Sequence, residues 1–334
     1  MKIGKSSEAI LTRSVLKQLK KKREEVMQGP CYGEQVAVLD SSNKNRVILS
    51  TNPFIGTKKE AGEFGIFEAI NDVASTGAEP IAILVSILLP AKMEEKGLKR
   101  IMDDLRVQCQ KWNVDIVGGH TEVTPAVNEP ILTITAIGMT QEETWHHSST
   151  IQAGQEIVMT KWCGQSGTAR LALRKEKELQ QRYPNDFLDG AKQMKEWLSI
   201  QEEMKVLKEY EKEWEVGAIH HVAKGGVFGA LWEFASAGKV GLDIDLMKIP
   251  LKQETVEVCE FFDLNPYCLE SVGCLLIAVS KGNELVAQLN RANIPAVLIG
   301  KVTKTNDRII RNEEEERYLE PPKSDEINKI FAME

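Results

Sequence analysis

The sequence predicts an α+β protein of α/β layers, organised as two domains. Short apolar or alternating runs typical of strands alternate with segments of helical spacing along most of the chain. The polar residues 146–154 separate two such series, and a new apolar run begins at residue 157. With 334 residues the chain is long enough for two domains, predicted as residues 1–150 and 151–334.

Residues 49–90 show the clearest local pattern, in the order strand, loop, helix, turn and strand. Ile66, Ile70 and Val73 recur at helical intervals, while Asp72 occupies another face. This spacing predicts a helix with one apolar face and one polar face.

The end of this helix and the strand after it can also be predicted. Gly77 fits the left-handed conformation that caps a helix, and Pro80 cannot continue one. Residues 81–90 are almost wholly apolar, which favours a strand covered on both faces and is too short to span a bilayer. Asn71 and Asp72 are therefore expected on a helix that packs on a sheet.

The remaining elements follow from the same periodicities. In the first domain we expect a helix over residues 7–27, strands over 33–39 and 47–51, a helix over 98–112, a strand from 114 that leads into a Gly-Gly-His segment at 118–120, and a strand over 131–137. In the second domain we expect a strand over 157–160, a helix after 164–168, a charged helical insert at about 175–215, a helix over 227–237, strands over 242–245, 274–279 and 296–300, and a solvated tail from 313.

The composition argues against several classes of partner and site. Lys and Arg number 42 against 49 Asp and Glu, so the net charge of −7 gives no support for nucleic acid or an anionic membrane as a partner. The first 25 residues contain no apolar core of signal-peptide length. The six cysteines form no CxxC pair, so we expect reduced thiols, no zinc site and a cytoplasmic location.

Several polar features are open to two interpretations. The glycine segments 164–168 and 225–226 each precede a predicted helix, where backbone N–H groups can bind phosphate, but turn geometry explains them equally well. His120 is either catalytic or structural. His220 and His221 resemble a metal pair, although neighbours on one strand point to opposite faces. The charged insert is either a solvated helical pair or a partner-binding segment.

The order of motifs resembles the PurM-like ATP-binding superfamily. The motifs are GxxxAVL from residue 33, STNPF from 50, NDVASTGAEP from 71, VGGHTEVT from 117 and a glycine pair before a helix at 225–226. The superfamily includes aminoimidazole ribonucleotide synthetase, thiamine-monophosphate kinase, selenophosphate synthetase and HypE, and the chain is most similar to its HypE-like members. The resemblance covers nearly the whole chain except the insert and about the last thirty residues.

The resemblance implies a fold, a cofactor and a set of site residues. It implies a PurM-like two-domain homodimer, with an N-terminal ATP-binding domain whose sheet forms the dimer and a C-terminal α+β domain. It implies ATP and Mg²⁺ as cofactors and transfer of the γ-phosphoryl group to a carboxamide or carbonyl oxygen of a small molecule or protein. The implied catalytic residues are Asp72 and His120, the implied magnesium ligands are Glu34 and Asp72, and the implied nucleotide-binding residues are Asn52, Asn71, Asp72, Gly118, Gly119, Gly167, Gly225 and Gly226.

The chain departs from the superfamily pattern at the expected metal site. Relatives commonly carry adjacent aspartates where this chain has Glu34 and Gln35, and an aspartate where it has Asn52. An aspartate of the second domain is replaced by His221, and the chain ends in Glu334 where HypE has a reactive cysteine. An amide carries no charge, so the changes at Gln35 and Asn52 weaken the hold on Mg²⁺ and triphosphate. A catalytically degraded nucleotide-binding or maturation scaffold is therefore the alternative hypothesis.

Overall fold

The computed structural model describes residues 4–19, 23–41, 45–142 and 145–331, and these residues form two compact units. The N-terminal unit contains the described parts of residues 21–30 and 35–145. The C-terminal unit contains the described parts of residues 1–20, 31–34 and 146–334. The change of unit at residue 146 lies close to the predicted boundary near Thr150, but the two N-terminal segments belong to the C-terminal unit.

The helices and strands alternate along the chain. The α-helices are α1 (Glu8–Ser14), α2 (Lys58–Phe64), α3 (Phe67–Ala74), α4 (Glu95–Trp112), α5 (Gln165–Arg174), α6 (Glu176–Leu179), α7 (Asn185–Gln193), α8 (Gln201–Trp214), α9 (Gly226–Gly238), α10 (Gln253–Phe261), α11 (Gly282–Arg291) and α12 (Asn328–Phe331). The strands are β1 (Val26–Gln28), β2 (Ala37–Asp40), β3 (Arg46–Ile55), β4 (Glu79–Pro90), β5 (Asp115–Thr124), β6 (Ile131–Thr140), β7 (Glu156–Thr160), β8 (Val216–Val222), β9 (Gly241–Asp245), β10 (Cys274–Val279), β11 (Ala296–Thr303), β12 (Arg308–Arg311) and β13 (Glu316–Tyr318). Short 3₁₀ turns occur at Leu16–Gln18, Ser148–Thr150, Met194–Trp197, Leu246–Lys248 and Pro266–Cys268. Every helix of the described residues is too short or too polar to cross a membrane.

The sheet of the N-terminal unit has the strand order β1-β2-β3-β6-β4-β5. Within the described strands of this sheet, only the β4–β5 pairing is parallel, and the other pairs are antiparallel. Helix α3 packs on β3 and β6. The core between helices and sheet includes Ile48, Ile83 and Ile134, none of which is exposed to solvent. One face of this sheet is therefore covered by helices of the same chain.

Two predictions for the first 150 residues are wrong. Of the predicted helix over residues 7–27, residues 20–22 lie outside the described residues, and the described part gives only the short helix α1, a 3₁₀ turn and, at its end, the strand β1. Strand β4 is not covered on both faces, because Ile81 and Leu84 remain 39% and 40% exposed while alternate residues are buried. The apolar run of β4 predicts that both faces of the strand are buried, but it does not indicate whether the second face is covered by the same chain or by another molecule.

The sheet of the C-terminal unit has the order β13-β12-β9-β11-β7-β10-β8. Strand β10 is buried along its whole length, as expected for a central strand with a continuous apolar sequence. Helix α9 packs on β8, and its Phe234 is fully buried in the core. A second core forms where α5, α7 and α10 meet.

Residues 319–331 of the C-terminal tail are packed on the protein, so the prediction of a solvated tail is wrong for these residues. Leu319, Asp325 and Ile327 are each 5% exposed or less. Ile327 belongs to the second core, and the tail lies against the body of the C-terminal unit. Its sequence is charged, but a few buried residues at spaced positions are enough to fix it.

Candidate functional site

Asp72 lies at the centre of a buried polar cluster in the N-terminal unit. Its Oδ2 accepts a hydrogen bond from Ser50 Oγ at 2.8 Å and another from Asn52 Nδ2 at 2.7 Å. Ser50 and Asn52 are two residues apart on β3, so their side chains point to the same face of the sheet. Asp72 itself is 3% exposed. Strand β3 and helix α3 thus bring Ser50 and Asn52 to Asp72, which is 20 residues beyond Asn52 in the sequence. We refer to Ser50, Asn52 and Asp72 as the Asp72 cluster.

The position of the cluster follows from the amphipathic character of α3. Ile70 and Val73 are fully buried and hold the helix on the sheet. Asn71 is also fully buried, next to Asp72 in the sequence. Of the predicted nucleotide-binding residues, Asn52, Asn71 and Asp72 are therefore on neighbouring elements.

The cluster suits a magnesium ion that arrives with a nucleotide better than one held by the protein alone. Asp72 is its one carboxylate, and no group of three or more His, Cys, Asp or Glu side chains suited to a metal occurs within the described residues. Mg²⁺ is commonly bound by one or two carboxylates together with substrate phosphates and water. The residues present fit that arrangement, with Asp72 as the protein ligand.

Glu34, the other predicted magnesium ligand, belongs to the C-terminal unit and is engaged there. Its two carboxylate oxygens accept the backbone N–H groups of Ser148 at 3.2 Å and Ser149 at 2.8 Å. Burial raises the pKa of Glu34, but the hydrogen bonds from His147 and Ser149 outweigh it and keep the pKa below its usual value. The structure thus places Glu34 as a carboxylate that secures the 3₁₀ turn Ser148–Thr150.

His120 is not brought next to the Asp72 cluster within the chain. The register pairs His120 with Ser86 and Ser86 with Thr133, whereas Asn52 pairs with Ile134. Since successive residues of a strand face opposite sides, His120 and Asn52 lie on opposite faces of the sheet. Three strand spacings also separate β5 from β3, which is about 14 Å. His120 is largely exposed, on the face that the helices leave open.

Gly119, which follows Gly118 on β5, has a steric role there. A Cβ on Gly119 would come within 1.8 Å of the carbonyl oxygen of Val85, and its φ is +150°. Only glycine allows β5 to approach β4 so closely at this point. His120 follows directly, and its Nε2 lies 3.3 Å from the carboxylate of Glu122.

The three predicted nucleotide-binding glycines of the C-terminal unit each donate their backbone N–H group to another residue of the chain. The N–H of Gly167 donates to the carbonyl of Glu270 at 3.0 Å. The N–H of Gly225 donates to Asp325 Oδ2 at 2.6 Å, and that of Gly226 to the carbonyl of Ala223 at 3.2 Å. A phosphate bound to the N–H of Gly225 would therefore have to replace the carboxylate of Asp325.

The two adjacent histidines of β8 make separate structural contacts. His220 Nδ1 lies 2.8 Å from Ser148 Oγ, while His221 Nε2 accepts the N–H of Gly273 at 3.1 Å. Burial lowers the pKa of His220 to about 3, so this imidazole is neutral. The structure does not bring the two rings together, in agreement with their alternation on a strand.

Sequence reasoning missed Ser50 in the first unit and Asp325 and Glu270 in the second. Ser50 could have been found, because it stands two residues before Asn52 on a predicted strand and must share its face. Asp325 gave no signal, since it lies 100 residues from Gly225 in a segment of charged residues.

Comparison with known families and proteins agrees with this architecture. The family profile of the AIR synthase related protein N-terminal domain matches residues 33–140, and that of the C-terminal domain matches residues 152–312. A putative hydrogenase expression/formation protein of Methanocaldococcus jannaschii is 24% identical over 255 residues, which cover 75% of this chain and 72% of that protein. Carbamoyl dehydratase HypE of Rhizobium leguminosarum bv. viciae is 23% identical over 282 residues, covering 80% of this chain and 76% of that protein.

Solved structures show the same fold. A chain of a HypE–HypF complex aligns with a TM-score of 0.72 at 19% identity, covering 93% of this chain and 99% of that chain. AaThiL complexed with AMPPCP and TMP aligns with a TM-score of 0.71 at 18% identity, covering 96% of both chains. HypE in complex with ATP aligns with a TM-score of 0.68 at 17% identity, covering 97% of both chains. With its two matched domains and this shared two-domain PurM-like fold, the chain belongs to the AIR synthase related proteins, near HypE.

Proposed function

We propose that the protein binds ATP and transfers its γ-phosphoryl group to a carboxamide or carbonyl oxygen of a small molecule or protein. The observation that carries the proposal is the Asp72 cluster, a buried carboxylate held by two side-chain donors in the unit that matches the family's N-terminal domain. Relatives of the same fold are known in complex with ATP or AMPPCP, which supports a nucleotide as the ligand.

In this proposal the chain's residues position the nucleotide rather than form covalent bonds. The hydrogen bonds from Ser50 and Asn52 orient Asp72, which would hold Mg²⁺ delivered with the phosphates. When bound, Mg²⁺ would neutralise negative charge on the phosphates. Asn52 and Asn71 provide amide groups beside the same helix and strand, and Gly118, Gly119, Gly167, Gly225 and Gly226 remain proposed nucleotide contacts.

We further propose that the chain acts as a homodimer through the open face of its N-terminal sheet. Ile81, Leu84 and Met139 are each between 38% and 40% exposed on strands β4 and β6. A second copy would remove these side chains from water. His120 lies on the same open face, so in a dimer it would belong to the subunit interface. Its proposed catalytic role then depends on the second copy.

A nucleotide-binding scaffold is the second candidate, and the Asn52–Asp72 hydrogen bond favours it. An aspartate at position 52 would put two carboxylates side by side, an arrangement that a divalent cation stabilises. With asparagine at this position, the side-chain amide donates a 2.7 Å hydrogen bond to Asp72, and this contact needs no cation. The HypE–HypF complex shows that a relative assembles with another protein, which supports a partner for this chain in the scaffold role.

Transfer of an oxygen isotope distinguishes the two candidates. Formamide, acetamide and S-ethyl thiocarbamate, each labelled with ¹⁸O at the carbonyl, are incubated with the protein, ATP and Mg²⁺. Phosphoryl transfer to the carbonyl oxygen followed by cleavage of the C–O bond leaves the label in inorganic phosphate, and the Asp72→Asn variant should lose the signal. Binding of ATP without labelled phosphate or ATP turnover would support the scaffold instead.

A further inference from the structure

Two arginines on strands β12 and β13 differ from a third arginine on the same strands. Arg311 forms ion pairs with the carboxylates of Asp243 and Glu316. Arg308 and Arg317, in contrast, make no hydrogen bond or ion pair through their side chains within the residues that the structure describes. Both guanidinium groups therefore keep N–H donors available to another molecule.

The register of β12 and β13 places these two side chains on one face of the sheet. Ile310 pairs with Arg317 and is two residues from Arg308, so the three side chains point to the same side. Ile310 lies in the core that also contains Phe234 of α9, so this is the side that α9 covers. Arg308 is the diagonal neighbour of Arg317, and such neighbours lie about 7–8 Å apart. We refer to Arg308 and Arg317 as the arginine pair, since one ligand can reach both.

Each member of the arginine pair lies over an aromatic ring of α9. The Cζ atom of Arg308 is 3.9 Å from the centroid of the Trp232 ring, and that of Arg317 is 5.8 Å from the centroid of the Phe228 ring. Trp232 and Phe228 are four residues apart and share one face of the helix. Tyr267 stacks on Phe228 with ring centroids 5.0 Å apart. The rings attract the guanidinium groups by their faces and use none of the N–H donors.

Arg308 is half-buried without a direct anionic partner. Its Nε is buried and has no hydrogen-bond partner among the described residues, whereas its two Nη groups are open to solvent. Burial lowers the pKa of Arg308, and the charge of Glu8 acts against this shift. An arginine stays cationic in proteins, so the burial costs free energy. An anion at the Nη groups would offset that cost.

Two carboxylates act on the arginine pair through their charge, but each is bound to another donor. Glu8 accepts the indole N–H of Trp232 at 2.9 Å. Glu320 pairs with Lys323 at 2.7 Å. Both influence the pair from beyond hydrogen-bond distance. The donors of the arginine pair are therefore not occupied by a carboxylate of the described chain.

We propose that the arginine pair binds a phosphate group, either as free phosphate or as the phosphate monoester of a small molecule. A planar guanidinium donates two parallel N–H groups to an oxyanion. A single carboxylate has oxygens for one such fork, whereas a tetrahedral phosphate has oxygens for two. The arginine pair belongs to the C-terminal unit and the Asp72 cluster to the N-terminal unit, so this inference does not rest on the proposed nucleotide chemistry.

Calorimetric titration of the full chain with three probes at constant ionic strength tests the ligand class. The probes are inorganic phosphate, methyl phosphate and succinate. We expect saturable binding of phosphate at one site per chain, with succinate at least about tenfold weaker because it cannot offer one tetrahedral group to two forks. Tighter binding of methyl phosphate would identify a monoester as the ligand, and tighter binding of inorganic phosphate would identify the free ion. Succinate that binds as tightly as phosphate would overturn the proposal.

Variants assign the binding to the arginine pair. Arg308→Met and Arg317→Met should each weaken phosphate binding at least about tenfold. Arg308→Lys keeps the charge and loses the fork, so it should also bind more weakly, and it serves as the test if Arg308→Met fails to fold. Arg291→Met, at an exposed arginine of α11, carries the same change of charge and should bind as the unmodified chain does.

Asp72→Asn separates this site from the proposed nucleotide site. The variant should bind inorganic phosphate with unchanged affinity, even where its affinity for ATP falls. The proposal would be overturned by the absence of saturable phosphate binding, by undiminished binding in Arg308→Met and Arg317→Met, or by an equal loss in Arg291→Met. A loss of phosphate binding in Asp72→Asn alone would assign the ion to the Asp72 cluster and would likewise overturn it.

Discussion

Asp72 in the N-terminal unit and Asp325 in the C-terminal unit are both nearly inaccessible to water, yet their surroundings differ. Asp72 receives side-chain donors from Ser50 and Asn52 on one oxygen. Asp325 receives backbone N–H groups and lies beside the carboxylate of Glu270. Side-chain donors can reorient toward a ligand, whereas backbone donors of a helix start are fixed. The first carboxylate therefore lies among donors that can turn toward a ligand, and the second among donors that are fixed.

Arg170→Met should cause the largest loss of stability. It leaves Glu270 and Asp325 buried without the cation that bonds Glu270, so we expect a loss of about 3–5 kcal/mol in the free energy of unfolding. Urea denaturation at pH 7.5 measures it. Arg106→Met, at an exposed ion pair with Asp103, is the matched control and should lose less than about 1 kcal/mol. Equal losses in the two variants would mean that the cation is unimportant to the carboxylate pair.

His220 should make the stability of the protein depend on pH. Burial lowers its pKa to about 3 from 6.5, so the unfolded state binds more protons between these values and stability falls as the pH drops below about 6.5. His220→Gln should remove up to about 1.4 kcal/mol per pH unit of this loss. Chemical denaturation between pH 4.5 and 7 checks the slope. An unchanged slope in His220→Gln would contradict the prediction.

Asn52→Asp tests whether the Asp72 cluster is stabilised by a hydrogen bond in place of a cation. Two adjacent carboxylates should cost about 1–3 kcal/mol of stability in EDTA, and 10 mM Mg²⁺ should restore most of it. Thermal unfolding with and without Mg²⁺ measures both effects. The unmodified chain should show little response to Mg²⁺ alone. A variant that is equally stable with and without the ion would show that position 52 does not face a metal-binding space.

Ser50→Ala should have the smallest effect of the series. It removes one of the two side-chain donors to Asp72, and we expect a loss of about 1–2 kcal/mol in the free energy of unfolding. Urea denaturation against Thr51→Ala provides the comparison, because Thr51 makes an exposed hydrogen bond to Thr135 on the other face. An effect no larger than that of Thr51→Ala would mean that Asp72 finds another donor.

Much of the fold could be predicted from local sequence patterns. The spacing of Ile66, Ile70 and Val73 predicted the helix that carries Asp72, and Gly77 predicted its end. The apolar run of residues 81–90 predicted strand β4 but not its open face. The sequence of a strand does not indicate whether an element of the same chain packs on each face of the sheet.

The candidate site was less predictable, because its contacts join distant parts of the chain. The bond between Glu34 and Ser149 spans 115 residues, and that between Gly225 and Asp325 spans 100. Local periodicity carries no information on such pairs. The resemblance to a family suggested a role for Glu34 that its observed partners do not favour, and the hydrogen bond between Asn52 and Asp72 was not predicted from their separate motifs.

Calorimetric titration of ATP with Mg²⁺ is the most direct test of the claim that the Asp72 cluster binds the nucleotide. The unmodified chain should bind with a measurable heat, and saturation at about a hundred times the dissociation constant should stabilise it by about 2.7 kcal/mol. Asp72→Asn, if its unliganded melting temperature is unchanged, should bind at least about tenfold more weakly, a difference of about 1.4 kcal/mol. No binding at millimolar ATP, or equal affinity in the Asp72→Asn variant, would contradict the claim.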